Sequence, residues 1–401
     1  MLIGIVVLGF NLRPAAVSVG PVLDEITGSL RMSATVAGVL TTLPVFAFAC
    51  FGALAPKLAA RFGAHRLTFV ALLAVTVGLA TRPWLTNVPL FLVFSLVALA
   101  GMATANVLLP SLVKLHFPDR VGQITSLYTT ALAIGLTMSS VLTVPISEQF
   151  SPRGWRFGLA AWALTALIAA LPWLGLIRHD RPVDDDTPRV WGLGDVARTR
   201  LGWAMAVLFG LQSLQAYSIF GWFAQVYRDA GFSRGTAGLL LGVITGVTIP
   251  LSFVIPSLTA RLTNPRWLLG AIMACYPVGY VGLIIAPHGG AWLWAVTIGI
   301  GGCTFPLVLT LIGLRARTPA GTAALSGFTQ SVGYLIAVVG PFGVGALHGA
   351  TNGWTVPLVV LIAVNVPQLV VGMYASRPAS IEDQLGSRTS NDVAGSKPTR
   401  A

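Results

Sequence analysis

The chain has 401 residues, of which 55% are hydrophobic and only 9% charged, and its mean hydropathy is +0.80. An ordinary soluble domain is about one quarter charged, so this composition excludes a water-soluble enzyme and leaves lipid as the main solvent. The net charge of +12 needs no nucleic acid, because that reading requires a basic face on a soluble module.

Crossing about 30 Å of hydrocarbon takes roughly 20 apolar residues. Twelve runs qualify, at 1–23, 34–55, 67–84, 88–112, 121–146, 155–177, 201–224, 235–257, 266–286, 291–314, 322–346 and 354–375. The first begins at Met1 with neither a basic lead-in nor a small-residue cleavage site, so it is expected to be a retained helix, and its short lead-in leaves an upstream start codon open. Cys50, Cys275 and Cys303 all fall inside apolar runs and define no disulfide framework.

With the amino terminus inside, eighteen of the 25 lysines and arginines fall in cytoplasmic segments and six in external ones, while Arg13 lies within the first span. This asymmetry predicts a multi-pass protein of a bacterial plasma (inner) membrane with both termini cytoplasmic. The longest polar interruption separates six spans from six. The expected fold is therefore all-α and integral to the membrane, with twelve transmembrane helices in two pseudo-symmetric bundles, 1–177 and 201–375. A cytoplasmic linker, 178–200, joins them, and a polar tail, 376–401, is expected to be disordered. Asp184, Asp185 and Asp186 in the linker read as solvated carboxylates rather than a metal site.

The halves match at an offset of 200 residues. Ser33, Ala37, Gly38 and Leu40 recur as Ser233, Ala237, Gly238 and Leu240, and Pro56, Leu58, Ala60, Arg61 and Arg66 recur as Pro256, Leu258, Ala260, Arg261 and Arg266. Parallel repeats of six helices are what a two-bundle carrier needs to expose one central site to each side in turn.

Twelve spans in a 6+6 arrangement, with a basic loop after the second, resemble the Major Facilitator Superfamily over about residues 1–375. Asn11-Leu12-Arg13-Pro14 followed by Val19-Gly20-Pro21, and Gly210-Leu211-Gln212-Ser213-Leu214, are similar to the branch containing cyanate and 2-nitroimidazole transporters. The loop Pro56–Arg66 is similar to the superfamily signature G-x-L-a-D-r-x-G-r-k, but Ala60 stands where the usual Asp would be. The resemblance implies gating contacts for Arg61, Gly63 and Arg66, and recurrence extends them to Arg261 and Arg266. The Gly-Pro pattern that marks the fifth helix in many antiporters occurs here in the eleventh span, as Gly340-Pro341-Phe342-Gly343-Val344-Gly345. There it predicts a bend and close packing.

Arg13 is the sharpest chemical feature. A charge near the middle of a span costs at least about 2.5–3.5 kcal/mol on insertion scales, so it usually faces a cavity and a partner or ligand. Pro14 opens the helix beside it by depriving a carbonyl one turn earlier of its donor. None of the thirteen acidic residues and none of the five histidines falls in mid-membrane. An anion would thus find Arg13, and an organic cation no counter-charge. Other expected solute contacts are Asn11 and Asn106, Tyr128, Gln212 and Gln215 three residues apart, Tyr217, and Gln330 and Tyr334 four apart. Each can equally serve as interhelical hydrogen-bond glue.

The expected function is alternating-access transport of a small anionic or planar polar solute, cyanate- or nitroimidazole-like, with Arg13 as the binding cation. The alternative is a drug or metabolite efflux antiporter of the same superfamily. Expected partners are the solute, the lipid bilayer, and a proton or counter-anion, with Asp24, Glu25 and Glu148 as the proton sites to consider. No cofactor, metal or nucleic acid is expected, and the chain is expected to be a monomer. No HExxH, GxSxG or Cys/His cluster supports an enzyme.

Overall fold

The computed structural model describes residues 1–32, 34–150, 154–180 and 192–385. Asp184–Asp186, the end of the tail and the Asp24 side chain lie outside the described parts, so the expectations placed on them carry no further. Twelve helical segments are long and apolar enough to cross a membrane. They are α1 Leu2–Val22, α2 Thr42–Phe62, α3 Ala64–Trp84, α4 Val88–His116, α5 Pro118–Glu148, α6 Gly154–Leu176, α7 Arg200–Asp229, α8 Thr236–Arg261, α9 Arg266–Ile285, α10 Ala291–Leu314, α11 Pro319–Thr351 and α12 Thr355–Ala375.

Four spans are interrupted, and each interruption lies just before a proline. α1 turns at Asn11–Arg13 before Pro14, α8 at Val247 before Pro250, α10 at Cys303 before Pro306, and α11 at Val338 before Pro341. Proline has no backbone N–H and its ring collides with the carbonyl four residues back, so the helix loosens over the preceding turn. Irregular backbone in lipid survives only where other groups satisfy it. Here polar side chains do so, since Gln212 donates to the Gly302 carbonyl, which Pro306 leaves free, and Asn365 donates to that of Met273, which Pro277 leaves free. The Gly340–Pro341 segment packs closely on α7, where Trp222 Nε1 donates to the Pro341 carbonyl at 2.9 Å.

The two six-span halves meet chiefly through α2 against α11 and α5 against α8. Their contacts concentrate toward the end of the bundle that carries Met1 and Ala375. Thr129 Oγ1 donates to the Ser252 carbonyl at 3.1 Å, Ser126 and Ser257 share a hydrogen bond of 2.9 Å, and Asn106 donates to Gln330. The repeat is visible in this seam. Pro256 and Ala260 of α8 press on Gly122 of α5, and Pro56 of α2 presses on Gly327 of α11.

The loop between α2 and α3 recovers the carboxylate its signature lacks. Asp180, from the end of α6, accepts from the backbone amides of His65 and Arg66 at 3.2 and 2.7 Å and from His65 Nδ1 at 2.6 Å. It caps the exposed donors at the start of α3. Gly63, at φ +89°, is required there because a Cβ would run into the Asp180 carboxylate. His65 Nε2 faces His116 Nε2 at 2.7 Å, so only one proton fits between the rings. Asp180→Ala leaves two helix-start amides and a buried imidazole without their acceptor. It is expected to destabilise the protein by about 3 kcal/mol, read as a lowered thermal midpoint in detergent, with Gly63→Ala acting in the same direction.

The tail is structured further than its composition suggests. Arg315 donates to the carbonyls of Ala375 and Ser376, each at 2.9 Å, and Ile381 is fully buried. Glu382 accepts from the Arg317 amide at the start of α11, and the Gln384 side chain accepts from the Leu201 amide at the start of α7. Hydrogen bonds from Ser380, and after them Arg317, hold the Asp383 carboxyl below its ordinary range. Residues 376–385 are thus a strap over the end of the second bundle, a correction to the expectation of disorder from residue 376.

Candidate solute site

Arg13 stands at the break of α1, with φ −128° and ψ −33°, immediately before the short helix Pro14–Val17. The turn frees its side chain from the helix surface and aims it between the halves. Its guanidinium lies over the Phe305 ring of α10, 5.4 Å from the centroid. It also lies beside the hydroxyls of Tyr217 on α7 and Tyr334 on α11. Arg13 is half-buried, and no carboxylate pairs with it among the described residues. The arrangement supplies a five-donor planar cation, the aromatic face of Phe305 and two phenolic hydroxyls.

The aromatic residues form a continuous group. Tyr334 stacks on Phe48 of α2 with centroids 4.3 Å apart, and meets Phe209 at 5.2 Å and Tyr217 at 6.2 Å. Phe209 in turn lies 5.8 Å from Phe305. The Tyr334 hydroxyl is buried and, among the described residues, makes no well-formed hydrogen bond. A buried hydroxyl left in this state is costly, and it marks a donor available to a bound molecule. Because Phe48 and Tyr334 belong to different halves, the wall of the site is also part of the seam.

Several expected contacts are committed elsewhere. Gln212 donates to Tyr276 Oη at 3.0 Å and accepts from Gln368 at 2.9 Å, while Gln215 donates to the Leu361 carbonyl and accepts from Tyr280 Oη at 2.7 Å. Both glutamines are fully buried. The shared face that their spacing predicts is real, but it points to α9 and α12 rather than to Arg13. Asn11 likewise bonds the Val7 and Thr165 carbonyls and the Thr165 hydroxyl, inside the first half. These three are therefore corrected from solute contacts to internal glue. Gln212→Ala is expected to cost about 2 kcal/mol in stability, and to leave solute affinity in equilibrium binding within about twofold of the unaltered protein.

Asn106 and Gln330 bond each other across the seam, and Gln330 also donates to Ser326 at 2.8 Å. They tie α4 to α11. Tyr128 is buried in the first half, its hydroxyl without a hydrogen-bond partner among the described residues. The arginines expected to gate do not reach across. Arg61 lies over Phe62 of its own span, Arg66 and Arg261 are exposed, and Arg266 Nε donates to the Met373 carbonyl within the second half. Among the described residues the end of the seam that carries Met1 and Ala375 is held by small and neutral polar groups instead. Sequence reasoning also missed Phe305, Phe209 and Phe48, which look like ordinary apolar residues of a span. It missed Arg82 as well, which counts as an external loop charge in sequence but is fully buried in the fold.

Two joined six-span bundles are the fold of a membrane transporter. The chain belongs to the Major Facilitator Superfamily, whose family model matches residues 2–341. It is 38% identical over 379 residues to the uncharacterized transporter YycB of Bacillus subtilis, covering 94% of this chain and 93% of that one. It is 33% identical to the 2-nitroimidazole transporter of Escherichia coli (95% of this chain, 96% of that one) and 30% identical to the cyanate transport protein CynX of the same organism (88% and 91%). Among solved structures it resembles the fucose transporter FucP in an outward conformation, at TM-score 0.72, 15% identity and coverage of 94% and 98%. It also resembles the xylose transporter XylE, at TM-score 0.76, 13% identity and coverage of 96% and 98%.

Proposed function

We propose that the chain moves a small anionic or planar polar solute, of the cyanate or nitroimidazole kind, across a bacterial plasma membrane by alternating access, with Arg13 as the central binding cation. The observation that carries this reading is an arginine at mid-span that has aromatic and phenolic neighbours on α7, α10 and α11 but no carboxylate among the described residues. A half-buried cation with no counter-charge among the described residues is an anion site in waiting, and neighbouring rings favour a flat molecule. The names of the relatives agree in size and chemistry, since cyanate is a small linear anion and 2-nitroimidazole a flat heterocycle with a nitro group that accepts hydrogen bonds.

The lysine and arginine asymmetry supports a cytoplasmic placement of the end carrying Met1 and Ala375. The seam then closes the cytoplasmic side, and the solute enters from outside. Movement to the inside requires α2–α11 and α5–α8 to part. The chain is proposed to act as a monomer, with one solute between its own two halves. Uptake of radiolabelled cyanate and of 2-nitroimidazole into proteoliposomes, with and without a pH gradient, tests the reading. Solute-dependent uptake that is lost in Arg13→Ala supports it, and undiminished uptake in that variant overturns it.

A further inference from the structure

Arg82 is another arginine that the bundle encloses. It ends α3, just before Pro83 and Trp84, yet its side chain is fully buried. Nη1 donates to the Ala15 carbonyl at 3.2 Å and Nη2 approaches Ser18 Oγ at 3.4 Å, while Ser18 Oγ donates to the Pro14 carbonyl at 2.6 Å. Among the described residues Nε has no hydrogen-bond partner and no carboxylate pairs with this guanidinium. A buried, incompletely satisfied charge is expensive, so simple space filling does not account for an arginine here.

Its partners all lie in the part of α1 that follows Arg13. Between Pro14 and Pro21 the backbone lacks two donors, the regular helix stops at Val17, and a tight turn runs Gly20–Val22. Such backbone holds its shape within a membrane only if side chains or neighbouring spans fix it. Arg82 supplies two donors from α3 to this segment, one directly and one through Ser18. The same segment sets the direction of Arg13, which caps its start.

We propose that Arg82 is a positioning residue, pinning Pro14–Ser18 to α3 so that the Arg13 guanidinium is held over Phe305 and beside Tyr217 and Tyr334. The proposal rests on the reading of Arg13 as the binding cation, but its first two measurements need no solute. Hydrogen–deuterium exchange of the peptide spanning residues 11–22 reads the pin. The rate at which phenylglyoxal modifies Arg13 in that peptide, followed by mass spectrometry, reads the position of the guanidinium.

In Arg82→Gln, exchange over residues 11–22 is expected to quicken by about tenfold and the Arg13 modification rate to change by at least about threefold. Arg82→Lys, which keeps the charge but gathers its donors on a single nitrogen, should recover part of both, and Ser18→Ala should show a smaller loss of protection. If Arg82→Gln does not fold, those two milder variants decide the matter. Apparent affinity for cyanate and 2-nitroimidazole should weaken by about tenfold while the maximal uptake rate stays within about twofold. Unchanged protection of residues 11–22 overturns the pin. Lost protection with unchanged Arg13 reactivity overturns the positioning role. Failure of the solute reading shows differently, as undiminished uptake in Arg13→Ala, with the exchange and labelling results left standing.

Discussion

Replacing Arg13 by alanine is expected to abolish saturable uptake of cyanate and 2-nitroimidazole while leaving the thermal midpoint of the purified protein unchanged or raised. The two effects have opposite signs for one physical reason. Holding an unpaired guanidinium at mid-span costs at least about 2.5–3.5 kcal/mol, and only part is returned by Phe305, Tyr217 and Tyr334. Removing the cation removes that cost from the empty protein. An anionic solute recovers the cost by pairing with Arg13, so in the bound state the same deletion costs about 2–5 kcal/mol, or roughly 30- to 4,000-fold in affinity. Arg13→Lys keeps the charge but loses the planar fork, and it should retain measurable uptake with affinity weakened by about tenfold. A destabilised Arg13→Ala protein would instead mark the arginine as structural glue.

The scaffold was legible because each span had to be written as about twenty apolar residues, and the repeat because Pro56, Leu58, Ala60 and Arg61 recur 200 positions on. Arg13 was legible for the complementary reason, since a charge in such a run has to be explained. Its surroundings were not. Phe305, Phe209 and Phe48 share their composition with every lipid-facing position. Gln212 and Gln215 reveal from their spacing that they share a face, but nothing in the spacing says which neighbour that face meets. Arg82 was hidden by its place at a span end, where arginines ordinarily reach water. The helix breaks were half visible, because Pro14, Pro250, Pro306 and Pro341 follow interruptions while Pro110 and Pro172 sit inside unbroken helices. Which prolines break a span depends on packing against neighbours. The carboxylate missing at Ala60 is supplied by Asp180, some 120 residues away in the chain, a replacement that only the fold reveals.

The seam yields the second large effect. At Gly122 a Cβ would overlap the Ala260 side chain and lie 2.9 Å from the Pro256 carbonyl, and at Gly327 it would lie 2.6 Å from Pro56 Cγ. In a rigid core, overpacking of this kind costs about 1–3 kcal/mol. Here the overlap joins two bodies that must separate in every cycle, so parting the halves relieves it, leaving at Gly327 only the approach of the flexible Leu193 side chain at 3.2 Å. Gly122→Val and Gly327→Val should therefore fold normally but disfavour the state closed at the end carrying Met1 and Ala375. A penalty of about 1–3 kcal/mol shifts that equilibrium roughly 5- to 150-fold. Since transport must pass through both states, uptake should fall by at least about tenfold, and spin labels on α2 and α11 at that end should report a longer mean distance. The repeat makes the test stringent, because α5–α8 and α2–α11 are equivalent joints and both variants should give the same phenotype. Gly175→Val provides the control, since its Cβ would meet nothing within 4 Å and neither uptake nor distance should change. Full uptake in both seam variants would mean that the seam yields without opening, and that the halves part at some other joint.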